Sequence, residues 1–272
     1  MLHHEYFESK YGFDNAETIV LIHGLGGNYR VWKYQIPILQ ERYNVLAIDL
    51  PSHYEGNIKL SDMQVTLDAI AQKIIEVLDY YNLKQCPFMG VSLGTIFVKY
   101  IEAFYPDYVS YGILVGAVAT INALCAGIVR FLARVGDKLP FKLVYRLFSW
   151  IIMPRKDSKK SREIFRKCAL ALNRKEFKLY MIVFKQAFKF NKQFANDEHF
   201  ENIYISGDKD KVFFKGVLRE ALRTKARFIE IEDCGHVCNI DKTQKFDELM
   251  ERITDTQLKL VNSINKKEII SI

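Results

Sequence analysis

The sequence predicts an α/β fold: a mostly parallel, doubly wound sheet flanked by helices and interrupted by an all-helical insertion. Three observations carry this. Short apolar runs alternate with longer amphipathic stretches through residue 117. Residues 118–197 then show helical periodicity and no strand pattern, and strand patterns return at 201–208 and 227–235. The expected organisation is therefore a core in two pieces, 1–117 and 198–272, with a helical cap over 118–197 between them.

Taken in order, ETIVLIHG (17–24) reads as a buried strand, NYRVWKYQIPILQERY (28–43) as mostly helical, and NVLAIDLP (44–51) as the next strand. In DAIAQKIIEVLDYYNL (68–83), Ile70, Ile74, Val77, Leu78 and Tyr81 share one helical face, while Gln72, Lys73, Glu76 and Asp79 lie elsewhere. QCPFMGVS (85–92) is a strand, LGTIFVKYIEAFYP (93–106) a helix stopped before Pro106, and YGILVGA (111–117) a strand. After the cap, ENIYISGD (201–208) and RFIEIEDCG (227–235) are strands and 241–262 is a closing helix, with the last ten residues expected to fray. A parallel sheet of this kind places ligands at the carboxyl ends of its strands.

Composition narrows the function classes. The 272 residues are 49% hydrophobic and 26% charged, without repeats or low-complexity tracts, as in a globular enzyme-sized domain. Tyr108 to Val129 carries no charge and is long enough to span a bilayer, but Gly112, Gly116, Thr120, Asn122 and Gly127 interrupt it. Strand followed by a separate amphipathic helix is the better parse. Five cysteines in no framework spacing imply reduced thiols, and MLHHEYFESKYGFD lacks the pattern of a secretory signal, so a cytoplasmic protein is expected. HGLGGN lacks the lysine of a phosphate loop, no aromatic-basic motif points to nucleic acid, and no cofactor motif is present.

Charge is concentrated. Residues 130–192 hold eighteen Lys and Arg against four Asp and Glu, which leaves the rest of the chain net acidic although the whole carries +7. In FKLYMIVFKQAFKFNK (177–192), Phe177, Met181, Phe184 and Phe188 fall on one helical side and Lys178, Lys185, Lys189 and Lys192 largely on another. The ordinary reading is a helix packed on the body with solvated lysines. The sharper one is a surface for anionic lipid membranes or acidic substrates.

GVSLG (90–94) carries the chemistry. It fits G-x-S-x-G, in which a strand turns so abruptly into a helix that the central serine is strained, and side chains two positions to either side would collide; hence Gly90 and Gly94. Ser92 then opens the helix, and the amide of Leu93 points outward at its positive end, ready for an oxyanion. Serine needs a histidine base, and the base needs an acid. His3, His4, His23 and His53 precede Ser92, whereas this turn type runs serine, acid, histidine; His199 has no acid-bearing strand end before it. His236, just after the last core strand, remains. In ISGDKDK (205–211), Asp208 and Asp210 compete as the acid, and residue chemistry leaves them even.

Four motifs in order, HGLGG (23–27), DLPSHYEGN (49–57), GVSLG, and GDKD with GH, make the chain resemble the α/β-hydrolase superfamily over nearly its whole length. The resemblance implies the α/β-hydrolase fold and a Ser92–His236–Asp210 triad, favouring Asp210 with Asp208 as fallback. It also implies a second oxyanion amide at Leu25 and a lid formed by the helical insertion. Ser52 and Tyr54 depart from the glycines common in the family's loop, which suggests a reshaped pocket wall, and the N-terminal segment is too short for two leading strands. A halide-displacing relative would need aspartate at position 92. Carbon–carbon bond hydrolases, thioesterases, acyltransferases, cofactor-free peroxidases and low-turnover receptors share the layout. Cys234-Gly-His236-Val-Cys238 is a poor zinc chelate because alternate residues at a strand end do not make a tetrahedron. The expected activity is cleavage of a carboxylic ester of a small acyl substrate, apolar because Phe131, Phe141, Tyr145, Phe148, Trp150 and Met153 crowd the early lid. No cofactor or metal is expected.

Overall fold

The computed structural model describes residues 1–120, 127, 138–156, 158–168, 172–193, 202–254 and 269–271. In chain order the elements are β1 (His4–Phe7), β2 (Thr18–Ile22), α1 (Gln35–Leu39), β3 (Asn44–Ile48), α2 (Leu67–Tyr80), β4 (Cys86–Val91), α3 (Leu93–Phe104) and β5 (Val109–Val115). There follow the cap helices α4 (Phe141–Ile152), α5 (Lys159–Cys168) and α6 (Arg174–Gln193), then β6 (Ile203–Gly207), α7 (Phe214–Thr224), β7 (Arg227–Ile231), α8 (Cys238–Asp241), α9 (Thr243–Thr254) and β8 (Ile269–Ser271). Among the described residues the sheet has eight strands in the order β1-β3-β2-β4-β5-β6-β7-β8. Only β1 is antiparallel, against β3, so a single leading strand stands at that edge.

Strand alternation divides the core into two layers. Val20, Ile22, Leu46, Ile48 and Phe88 face one side with α2, α3 and α7, while Ile19, Leu21, Val45, Ala47 and Met89 face the other with α1 and α9. Both faces are covered, which is why these strands read as continuous apolar runs. On α2, Ile70, Ile74, Val77 and Leu78 are fully buried, each contributing about 2 kcal/mol of hydrophobic stabilisation. Thr66 caps this helix, its side chain accepting from the Ala69 amide at 3.0 Å.

Two expectations, the closing helix and the frayed tail, need correction. Residues 28–43 are mostly helical as expected, in two pieces, a 3₁₀ turn (Tyr29–Trp32) and a five-residue helix. Pro37 lacks an amide to donate, and Asn28 caps the short turn separately. The closing helix begins earlier, as α8, and is broken at Lys242 before α9; its expected end lies outside the described residues. The last residues do not simply fray: Ile269–Ser271 pair in parallel with β7. Of the uncharged stretch 108–129, Val109–Val115 is the expected strand, and most of 121–129 lies outside the described residues. Among the described residues no helix is long and apolar enough to cross a membrane.

The cap helices are fastened to the core by buried polar contacts. Glu176 of α6 accepts from Ser52 Oγ at 2.5 Å and from the Ser61 amide at 3.2 Å. Tyr180 donates its hydroxyl to Pro51 O at 2.7 Å. At the other edge, Asp241 accepts from Ser158 at 2.6 Å and from Ser161, holding the start of α5 against the end of α8.

Candidate active site

At the carboxyl end of β4 the chain reverses within one residue. Ser92 sits at φ 51° and ψ −114°, a left-handed conformation that costs a residue with a side chain of order 1–3 kcal/mol. The bend is held on both sides: the Ser92 amide donates to Val115 O at 2.9 Å, and Ser92 O accepts from the amide and hydroxyl of Thr95 at 3.0 and 2.7 Å. A Cβ on Gly90 would lie 2.6 Å from the Gly94 carbonyl carbon, and one on Gly94 would overlap Ile22 O. The two glycines are thus demanded by the approach of β4, α3 and β2. Gly116, at φ 50°, is a third such position: a Cβ there would overlap the carbonyl of His236. Nothing local in the sequence around Gly116 announces a partner 120 residues away.

The structure brings Ser92, His236 and Asp210 together. His236 Nδ1 is 2.7 Å from Asp210 Oδ2 and its Nε2 is 2.9 Å from Ser92 Oγ. A carboxylate only accepts, so Nδ1 carries the proton and Nε2 is left as the acceptor for the serine hydroxyl. Asp210 is buried, and its other oxygen accepts from the amides of Val212 and Phe213 at 3.0 and 3.1 Å, which fixes the carboxylate plane. Asp208 points elsewhere: it accepts from the Cys234 amide at 3.1 Å and pairs with Lys209, bracing the loop that carries His236. Both His236 ring nitrogens are engaged, so the ring is not free to join Cys234 and Cys238 as a metal ligand. Those two thiols are buried, Cys238 donating to Gly235 O at 3.6 Å, and the neighbouring Cys234 together with burial holds the Cys238 thiol protonated.

Leu25 and Leu93 flank Ser92 from two elements. Leu93 is the first residue of α3, and Leu25 follows β2 in the turn closed by the Gly27 amide on Gly24 O at 3.0 Å. Among the described residues neither the Leu25 nor the Leu93 amide donates a hydrogen bond. His23 shapes this turn. Its ring is wholly buried, accepts from the Leu50 amide at 3.0 Å and donates to Gly24 O at 2.8 Å; burial and the neighbouring His53 push its pKa down to about 4. It is therefore a neutral strut linking the two loops.

A cavity of about 600 Å³ opens above Ser92 and His236. Its walls are overwhelmingly apolar: Val212 and Phe213 from the core, Phe148, Ile151 and Ile152 from α4 with Met153 just beyond its end, Ile164 and Phe165 from α5, Met181, Phe184 and Phe188 from α6. Of the lid residues expected to line it, Phe148 and Met153 do. Phe141 and Tyr145 instead pack behind the wall on Phe177, Trp150 stands 42% exposed beneath the Arg162 guanidinium at 3.9 Å, and Phe131 lies outside the described residues. The separation of aromatic and basic faces on α6 also fails at one place, because Lys185 lines the cavity between Phe184 and Phe188. Ser52 and Tyr54 do not form a pocket wall. Ser52 adopts φ 66°, the conformation a glycine would take most easily, and its hydroxyl anchors Glu176; Tyr54 stacks on His3 with centroids 3.6 Å apart.

The sequence pattern of the Alpha/beta hydrolase family matches residues 19–249, most of the chain. This chain belongs to that family. Within it, the chain is 30% identical over 109 residues to bifunctional epoxide hydrolase 2 of Sus scrofa, covering 40% of this chain and 19% of the relative. It is 31% identical over 104 residues to (E)-2-((N-methylformamido)methylene)succinate hydrolase of Acinetobacter baylyi, covering 38% of this chain and 37% of that protein. The chain thus spans less than two fifths of the length of either curated relative. Among solved structures, MenH from S. aureus superposes with a TM-score of 0.76 at 17% identity, covering 97% of this chain and 99% of that one; at this identity the likeness shows the fold. The mostly parallel sheet, its flanking helices and the helical insertion are those of the α/β-hydrolase family.

Proposed function

We propose that this α/β-hydrolase family member is a serine hydrolase that cleaves a carboxylic ester, or a related acyl bond, of a small apolar substrate. The observation that carries the reading is the unbroken relay from Ser92 Oγ through His236 to Asp210, 2.9 and 2.7 Å, at the floor of an apolar cavity. Ser92 attacks the acyl carbonyl as His236 Nε2 takes its proton. His236 then returns that proton to the leaving alcohol, leaving an acyl-enzyme that water, activated by the same nitrogen, hydrolyses. Asp210 holds the imidazole in the required tautomer and stabilises its charged form. The undonated amides of Leu25 and Leu93 receive the developing oxyanion, each worth about 3 kcal/mol in the transition state. The strained backbone at Ser92 keeps the hydroxyl exposed between these amides and the imidazole.

The cap, proposed as residues 118–197, acts in this reading as a lid: its helices supply most of the apolar wall and exclude water from the acyl group. Leu143, Leu147 and Trp150 form an exposed apolar stripe on α4, flanked by Lys142 and Arg146, and support transient contact with anionic lipid. Co-sedimentation with phosphatidylserine vesicles that vanishes at high salt is expected; binding unmoved by salt or by anionic lipid removes that part of the reading.

The enzyme reading is tested by turnover of 4-nitrophenyl butyrate. The wild-type protein is expected to release many equivalents of nitrophenolate and Ser92→Ala none above background. Release that stops at one equivalent supports a ligand receptor on the same scaffold, and no release at all, with the protein folded, argues against ester chemistry.

A further inference from the structure

Lys185 is the one charged residue among those described that line the cavity above Ser92. Lys185 is exposed while it lines the cavity, so the residue stands at the cavity mouth rather than on its floor. Among the described residues it makes no ion pair, and its neighbours one helical turn away are Met181, Ile182, Phe188 and Lys189, none acidic. The nearest carboxylate on the same helix, Glu176, is buried and committed to Ser52 and Ser61. A cation on the rim of an apolar chamber, with no carboxylate paired to it among the described residues, has one evident complement: a negative charge carried by the molecule that fills the chamber. The ammonium keeps its hydration until that group arrives, so no desolvation cost is stored in the empty site.

We propose that Lys185 is a specificity residue for amphiphilic substrates, in which an apolar stem occupies the cavity and an anionic group, a carboxylate or phosphate at the end remote from the scissile carbonyl, meets Lys185 at the mouth. This rests on the serine-hydrolase reading and adds a substrate class to it. The lid's positive excess attracts such molecules at long range, whereas among the described residues Lys185 alone of the lid's cations lines the cavity where a bound one ends. The arrangement selects against a cationic tail and is neutral toward a merely apolar one.

The test compares kcat/KM for two probes, 4-nitrophenyl hydrogen suberate, whose acyl chain ends in a carboxylate, and 4-nitrophenyl octanoate, whose chain ends in a methyl. In Lys185→Gln the suberate-to-octanoate ratio is expected to fall about five-fold relative to wild type, a size suited to a solvent-facing ion pair, and more at low ionic strength. Lys185→Glu should lower it further and Lys185→Arg restore most of it. Lys189→Gln, which removes an equal charge one turn away from outside the cavity, should leave the ratio unchanged. A ratio unmoved by Lys185→Gln, or moved equally by Lys189→Gln, overturns the proposal while leaving the hydrolase reading intact. If neither ester is turned over by the wild-type protein, the hydrolase reading itself fails and takes the proposal with it.

Discussion

Replacing Asp210 by asparagine tests the relay at its least obvious link. Asp210 Oδ1 accepts two backbone amides, at 3.0 and 3.1 Å, while Oδ2 faces His236 Nδ1 at 2.7 Å. An asparagine must keep its oxygen toward the two amides, because turning the NH₂ group there would set three donors against one another. The NH₂ group then faces His236 Nδ1, which can remain only as an acceptor, and the ring proton moves to Nε2. Nε2, 2.9 Å from Ser92 Oγ, would thereby become a donor and could no longer accept the serine proton. Loss of the base in this way costs about 10⁴-fold in kcat, or about 5.5 kcal/mol of transition-state stabilisation, in comparable triads. Binding of the apolar substrate should change little, so the loss should fall on kcat rather than KM. Asp208→Asn keeps an oxygen for the Cys234 amide and should lose less than about five-fold, mostly through a looser His236 loop. The assay is steady-state hydrolysis of 4-nitrophenyl butyrate, with circular dichroism to establish that both variants fold. A larger loss in Asp208→Asn than in Asp210→Asn would refute the reasoning.

Three further outcomes are expected. Burial holds the Glu102 carboxyl, which pairs with Asn202 at 2.9 Å, up to about 8. Because the folded value is raised, its contribution to stability is complete below the ordinary value of 4.5 and is lost as pH rises toward 8. Glu102→Gln should therefore gain melting temperature over wild type progressively across that window and no further above it; a constant difference from pH 5 to 8 would contradict this assignment. Gly94→Ala should destabilise the protein by more than about 3 kcal/mol in urea titration, since its methyl group has no room beside Ile22 O, and an unchanged midpoint would mean the elbow is not packed as described. For straight-chain 4-nitrophenyl esters, kcat/KM should rise from acetate to octanoate as apolar surface enters the cavity, and a steady fall would count against a roomy apolar site.

Much of this was legible in the sequence where the cause is local. The strands β2, β3 and β4 announce themselves because both faces are buried, and GVSLG announces its turn because the steric demand falls on its own glycines. Asp208 and Asp210 could not be separated from local chemistry. Their difference is set by where the amides of Val212, Phe213 and Cys234 point, and that is a property of the folded loop. Gly116 and Ser52 were opaque for the same reason: one is constrained by His236 and the other anchors Glu176, 124 positions on. On the helical insertion, periodicity sorted apolar from basic residues but could not tell an apolar face on the core from one on a cavity. Val183 and Ala187 of α6 face the core, Phe184 and Phe188 the cavity, and Lys185 joins the latter because the cavity is wider than one helical stripe.

The central claim is that Ser92 is an activated nucleophile. Its most direct test is incubation with a fluorophosphonate, followed by intact-mass measurement and sequencing of the modified peptide. The account predicts one adduct per chain, on Ser92, absent from Ser92→Ala and slowed in Asp210→Asn. A folded protein that stays unmodified, or that carries its adduct on another residue, would contradict it.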